Sequence, residues 1–194
     1  MTPSDVLADA GWVQAHLDDP GVVPVEVDED TRAYDEGHLK GAVKLDWNKD
    51  LQDPETRRFV DQARFEELLS ARGISSDDTV ILYGGDNNWF AAYAYWYFKV
   101  YGHRNVRLLD GGRKRWELDS REMVTEVPRR APTVYRAQRP ERQIRMVIRA
   151  RSRGTWSPRR GRWPWQAANG RFTPSGLRPS KQSLGRQREF TGAR

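Results

Sequence analysis

Residues 106–116 read Val106-Arg107-Leu108-Leu109-Asp110-Gly111-Gly112-Arg113-Lys114-Arg115-Trp116. A short apolar run of strand length meets a Gly-Gly pair and then a charged stretch that ends in tryptophan. Gly111 and Gly112 permit a tight turn, and Trp116 is placed to pack on a sheet. Similar apolar runs rich in β-branched residues occur at Val22–Val27, Ala42–Leu45 and Thr79–Tyr83, with longer helical patterns between them. That alternation predicts an α/β fold with a small, mostly parallel sheet flanked by helices.

Three helices are expected. Asp9 reads as an N-cap for a helix through Leu17, and residues 63–71 put Phe65, Leu68 and Leu69 at helical spacing before Gly73 ends the segment. The third, over residues 88–101, is the most apolar. Phe90, Tyr93, Tyr97 and Val100 fall on one stripe that would face the sheet, while Trp89 and Trp96 lie on an adjoining one.

Two further stretches carry chemistry-bearing residues. In Tyr34-Asp35-Glu36-Gly37-His38-Leu39-Lys40-Gly41-Ala42-Val43, followed by Asp46, Gly37 and Gly41 supply a turn that feeds a short strand, and His38 between them is expected to bond neighbouring backbone. The strand at Thr79–Tyr83 delivers the loop Gly84-Gly85-Asp86-Asn87-Asn88-Trp89, whose Asp86, Asn87 and Asn88 read as helix-cap and turn residues. With Gly111, Gly112 and Trp116, these stretches resemble rhodanese-type sulfurtransferases over roughly residues 5–127. The resemblance implies that residues 84–89 correspond to the loop that begins, in active members, with a catalytic cysteine whose persulfide carries sulfur. Gly84 stands about where that cysteine would be, and no Lys or Arg in the loop is available to hold an anionic donor. The loop reads as a vestigial active site, and the resemblance points to the non-catalytic N-terminal repeat of a tandem thiosulfate or mercaptopyruvate sulfurtransferase.

Composition agrees with a loss of chemistry. The 194 residues contain no cysteine, so there is no thiol nucleophile, disulfide or thiolate metal site. His16, His38 and His103 lack metal-ligand spacing, and no dinucleotide or phosphate-loop fingerprint is present, so neither a metal nor a cofactor is expected. No run approaches the roughly 20 apolar residues of a membrane span, and the acidic N-terminus does not resemble a signal peptide. The expected setting is the cytoplasm.

Charge divides the chain. Residues 1–144 carry 20 Lys and Arg against 26 Asp and Glu, whereas residues 145–194 carry 13 against 1. The expected organisation is a folded domain over 1–127, a proline-punctuated linker over 128–144, and a disordered Arg, Gly, Pro and Ser-rich tail over 145–194. The tail departs from the family pattern and has the composition of an out-of-frame or truncated gene product. A second reading is a non-catalytic rhodanese module that binds an anion or a protein through the Gly84–Trp89 loop, and a third makes the tail functional, because arginines interleaved with Trp156, Trp163 and Trp165 suit nucleic acid or an anionic surface. As partners, the resemblance implies a second rhodanese domain, or self-association through the apolar face that such a domain would leave uncovered. Limited trypsin digestion is expected to remove the Arg-rich end within minutes and leave an acidic core. Tail amides as protected from hydrogen exchange as those of Thr79–Tyr83 would refute the division.

Overall fold

The structure is a computed structural model, described here for residues 6–53 and 58–138. Its elements in chain order are β1 (Leu7–Ala8), α1 (Ala10–His16), β2 (Val22–Asp28), α2 (Arg32–Glu36), β3 (Val43–Asp46), α3 (Trp47–Asp50), α4 (Gln62–Ala71), β4 (Thr79–Tyr83), a 3₁₀ turn at Asp86–Asn88, α5 (Trp89–Val100), β5 (Val106–Leu109) and α6 (Gly112–Leu118). The five strands form one sheet in the order β1-β5-β4-β2-β3, and all four pairings are parallel. The α/β architecture expected from the sequence is the one observed. The two-residue β1 and the short helices α2 and α3 were not expected.

A parallel sheet covered on both faces needs strands that are apolar on both sides, and β4 meets that need. Val80 and Leu82 join the core beneath α4 and α5, while Ile81 and Tyr83 join the one beneath α1 and α6. Trp116 closes the second core at 1% exposure, its indole Nε1 donating to the Glu122 carbonyl at 2.9 Å. Asp9 caps α1 as expected, accepting from the Gly11 and Trp12 amides.

His38 is fully buried and stacks on Tyr34 at 3.8 Å between ring centroids. Its Nδ1 lies 2.8 Å from the Tyr34 carbonyl and its Nε2 lies 3.1 Å from that of Glu126. The ring thus ties the Gly37–Gly41 turn to the chain that follows α6. Asp46 caps α3 through the Asn48 and Lys49 amides.

The expected linker behaves differently over its described part, residues 128–138. The Thr133 amide donates to the Ser70 carbonyl, the Tyr135 amide to Ser70 Oγ, the Ala137 amide to Glu66 Oε1 and the Gln138 amide to the Tyr101 carbonyl. Tyr135 is buried against Phe65, and its hydroxyl lies 2.9 Å from His103 Nδ1. The packed positions alternate along an extended strap, a period that the neighbouring prolines and charges obscure in the sequence. Residues 139–144 and the 145–194 tail, with its expected disorder and nucleic-acid affinity, lie outside the described residues. Among the described residues no helix is long and apolar enough to cross a membrane.

If the strap belongs to the folded unit, Tyr135→Ala should cost about 3 kcal/mol, the usual loss for deleting a buried aromatic ring. Urea unfolding measures it, and a loss below about 0.5 kcal/mol, the level of surface substitutions, would place the strap outside the cooperative fold.

Candidate functional site

Ligand sites in open α/β sheets form outside the carboxyl ends of the strands. Here the register pairs Glu26 with Tyr83 and Leu82 with Leu108, so the ends of β2, β4 and β5 lie side by side. The loop leaving β4 is set against Asp28 on one side and the Gly111–Gly112 turn on the other.

Gly84 is buried against β2. A Cβ at this position would run into the Val27 carbonyl oxygen and sit 3.3 Å from Asp28 Oδ2. The Gly85 amide donates to Asp28 Oδ2 at 2.8 Å. The next three residues are all left-handed, with φ of 44° at Asp86, 55° at Asn87 and 64° at Asn88, a conformation that Asn and Asp tolerate better than other side chains. Contrary to the sequence reading, Asn88 makes no side-chain cap on α5. Its amide instead clasps two strands, Oδ1 accepting from the Gly84 amide at 3.1 Å and Nδ2 donating to the Leu109 carbonyl at 2.7 Å. Gly112 is required beside it, because a Cβ there would collide with Asn88 Oδ1.

A guanidinium lies close by but is already engaged. Arg113 donates from its backbone to the Gly84 carbonyl, from Nη1 to Glu26 Oε1 at 2.8 Å and from Nε to Glu117 Oε1 at 2.8 Å. Glu26 is 2% exposed, and its Oε2 has no hydrogen-bond partner. Burial raises the Glu26 pKa, against the opposing pull of Tyr83 and Arg113. Asp28 is also raised above its ordinary value, by burial first, opposed by the Gly85 hydrogen bond and reinforced by the charge of Asp86.

Beside the loop opens a cleft of about 490 Å³. Asp28, Glu29, Asp30, Glu36 and Asp86 all contribute to its lining, against one cation among the described residues, Arg32. Arg32 is bound to Asp30, its Nε 2.9 and 2.8 Å from the two carboxylate oxygens, and that contact pulls Asp30 to about 2. The cleft is therefore strongly acidic. Among the described residues no group of His, Asp and Glu converges as a metal site.

Of the residues singled out in the sequence, the structure brings Gly84–Trp89 and the Gly111–Gly112 turn together, while Trp116 packs in the second core. Gly37, His38, Gly41 and Asp46 belong to turns elsewhere. Glu26 and Asp28 were missed. Their signal was present, since two carboxylates in an otherwise apolar strand, at its carboxyl end, are unusual. Of the two tryptophans set apart on the aromatic helix, Trp89 is 73% exposed, but Trp96 is half-buried, with Phe59 packed 5.1 Å from it.

Residues 9–119 match the model of the rhodanese-like domain, and the chain belongs to that family. A protein of Saccharopolyspora erythraea named "Putative thiosulfate sulfurtransferase" is 61% identical over 145 residues, covering 75% of this chain and 52% of that protein. The sulfur carrier protein TtuD of Thermus thermophilus is 48% identical over 141 residues, covering 73% of this chain and 50% of that protein. The chain thus spans about half the length of these curated relatives. The crystal structure of the 3-mercaptopyruvate sulfurtransferase SseA from Escherichia coli shares the fold, with a TM-score of 0.63 at 21% identity over 77% of this chain and 62% of that one.

Because native Asp28 holds its proton to higher pH than it would in the unfolded chain, folding loses stability as pH rises through the raised pKa. Asp28→Asn keeps an acceptor for the Gly85 amide and removes that loss. It should raise the melting temperature at pH 7.5 by about 2–5 °C, with the difference from wild type shrinking towards pH 4. A variant less stable at pH 7.5 would show that the charge is compensated.

Proposed function

We propose that this chain is a non-catalytic rhodanese domain that transfers no sulfane sulfur by itself. The family reaction moves the outer sulfur of a donor such as thiosulfate onto a cysteine thiolate, releasing sulfite, and then from the persulfide to cyanide or a thiol. The observation that carries the reading is the state of the loop. With no cysteine in the chain, the seat is occupied by the protein itself. The Val27 carbonyl crowds Gly84, and the Asp28 carboxylate holds the Gly85 amide. A dianionic donor would also have to approach five carboxylates, with Arg113 spent on Glu26 and Glu117.

The same reading places the chain in the cytoplasm as the N-terminal, supporting repeat of a tandem enzyme, with the cysteine carried by a second domain. The half-length match to the curated relatives supports this, and exposed Trp89 offers an apolar contact for such a partner or for a second copy.

The full chain incubated with thiosulfate and cyanide is expected to form no thiocyanate above a no-protein blank. Gly84→Cys should stay inactive too, and should lose about 1–3 kcal/mol through overpacking against Val27. Heat-sensitive turnover that follows the protein through purification, or thiosulfate turnover by Gly84→Cys, would contradict the reading.

A further inference from the structure

We propose that His103 is a pH-sensitive latch, which holds the strap of residues 128–138 on the domain at neutral pH and releases it on acidification. The ring lies at the amino ends of β4 and β5, opposite the vestigial loop, so the latch is independent of the non-catalytic reading. His103 is 3% exposed, and both of its ring nitrogens are engaged. Nε2 lies 2.9 Å from the Asp78 carbonyl oxygen, and Nδ1 lies 2.9 Å from the Tyr135 hydroxyl. A carbonyl only accepts, so Nε2 carries the hydrogen of the neutral ring. Nδ1 is then an acceptor, and the Tyr135 hydroxyl donates to it. One neutral imidazole thus joins the strap to the turn before β4.

A second ring proton breaks this pattern. Placed on Nδ1, it faces the hydrogen of the Tyr135 hydroxyl, which must turn away, and Tyr135 is itself buried, so the displaced O–H is kept from water at a cost. The new charge would also sit beside Phe98, 5.2 Å from its ring, where burial disfavours it. Two charged groups act on the ring besides burial. Asp78, whose carboxylate is held by the Ser75 amide, favours the proton, and Lys99 on α5 opposes it. Glu66 on α4 acts on Tyr135 and accepts the Ala137 amide, while Arg104 and Arg136, next to the two rings in sequence, are exposed. Burial dominates and holds His103 below the ordinary 6.5. Once the strap lifts, the Nδ1 side meets water and the ring regains its ordinary proton affinity. The hold is therefore full above pH 6.5, weakens as pH falls through that value, and levels off below the lowered value of the closed state.

The test is amide hydrogen exchange in the full chain at about pH 7.5 and about pH 5, each rate corrected for the intrinsic rate at that pH. Protection of the Thr133, Tyr135, Ala137 and Gln138 amides should fall about tenfold at the lower pH, within the limit of roughly tenfold per pH unit for one proton. The Val80 and Leu82 amides of β4 should keep theirs. Glutamine offers a donor and an acceptor that do not titrate, so His103→Gln should hold the strap equally at both pH values. His16→Gln, a change on α1, should respond as the wild type does. Amide dispersion reports that each variant is folded. Imidazole ¹⁵N shifts of the wild-type chain give a readout that needs no variant, with the hydrogen expected on Nε2 at neutral pH and protonation below 6.5. Strap protection unchanged in acid, strap and β4 losing protection together, equal release in His103→Gln, or a hydrogen on Nδ1 at neutral pH would overturn the proposal.

Discussion

The hydrogen bond from the Gly85 amide to the Asp28 carboxylate joins the end of β2 to the start of the loop after β4, and the geometry of the site follows from it. With Gly85 held against β2, the chain must turn sharply to enter α5, which it does through three left-handed residues. The turn brings the Asn88 side chain back over Gly84 and across to Leu109, where only a glycine at position 112 leaves room. Gly111 and Gly112 then set the start of α6, and Arg113 points inward to Glu26. Strand ends, loop and helix are fixed by one chain of contacts.

The arrangement is electrostatically one-sided. Arg113 neutralises Glu26 in a buried pair, a contact whose breaking by loss of one partner typically costs about 3–5 kcal/mol. Burial disfavours the charge on Asp28, and Asp86 and Asp30 add like charge, while the Gly85 amide and the nearby Arg113 guanidinium oppose them. A buried carboxylate that is only partly compensated lowers stability when it is charged. The sheet and its two cores supply the excess stability that tolerates it, with aromatic rings from α4, α5 and the strap interlocking around Phe65 and Tyr97.

Most of the sheet was legible in the sequence because its strands are compact apolar runs and the Gly111–Gly112 turn with Trp116 is local. What escaped was non-local or very short. β1 is two residues long and is held by pairing with β5 rather than by its own pattern. The strap through Tyr135 packs on α4 from more than sixty residues away, so its role shows only when both are in place. Trp96 looked uncovered on the helical wheel because Phe59, which covers it, lies outside any regular element. Gly84–Trp89 stood out as a loop, but its closure depends on Asp28, 57 residues earlier, whose contribution to the site arises from strand register.

The account therefore turns on whether Asp28 is a buried, under-compensated carboxylate bonded to the Gly85 amide. A ¹³C-detected pH titration of its carboxyl, with the Gly85 amide proton followed in parallel, measures this directly. The expected result is a midpoint above the ordinary aspartate value of 3.8, with both signals moving together. A midpoint at or below that value, or a Gly85 amide that does not respond, would contradict it.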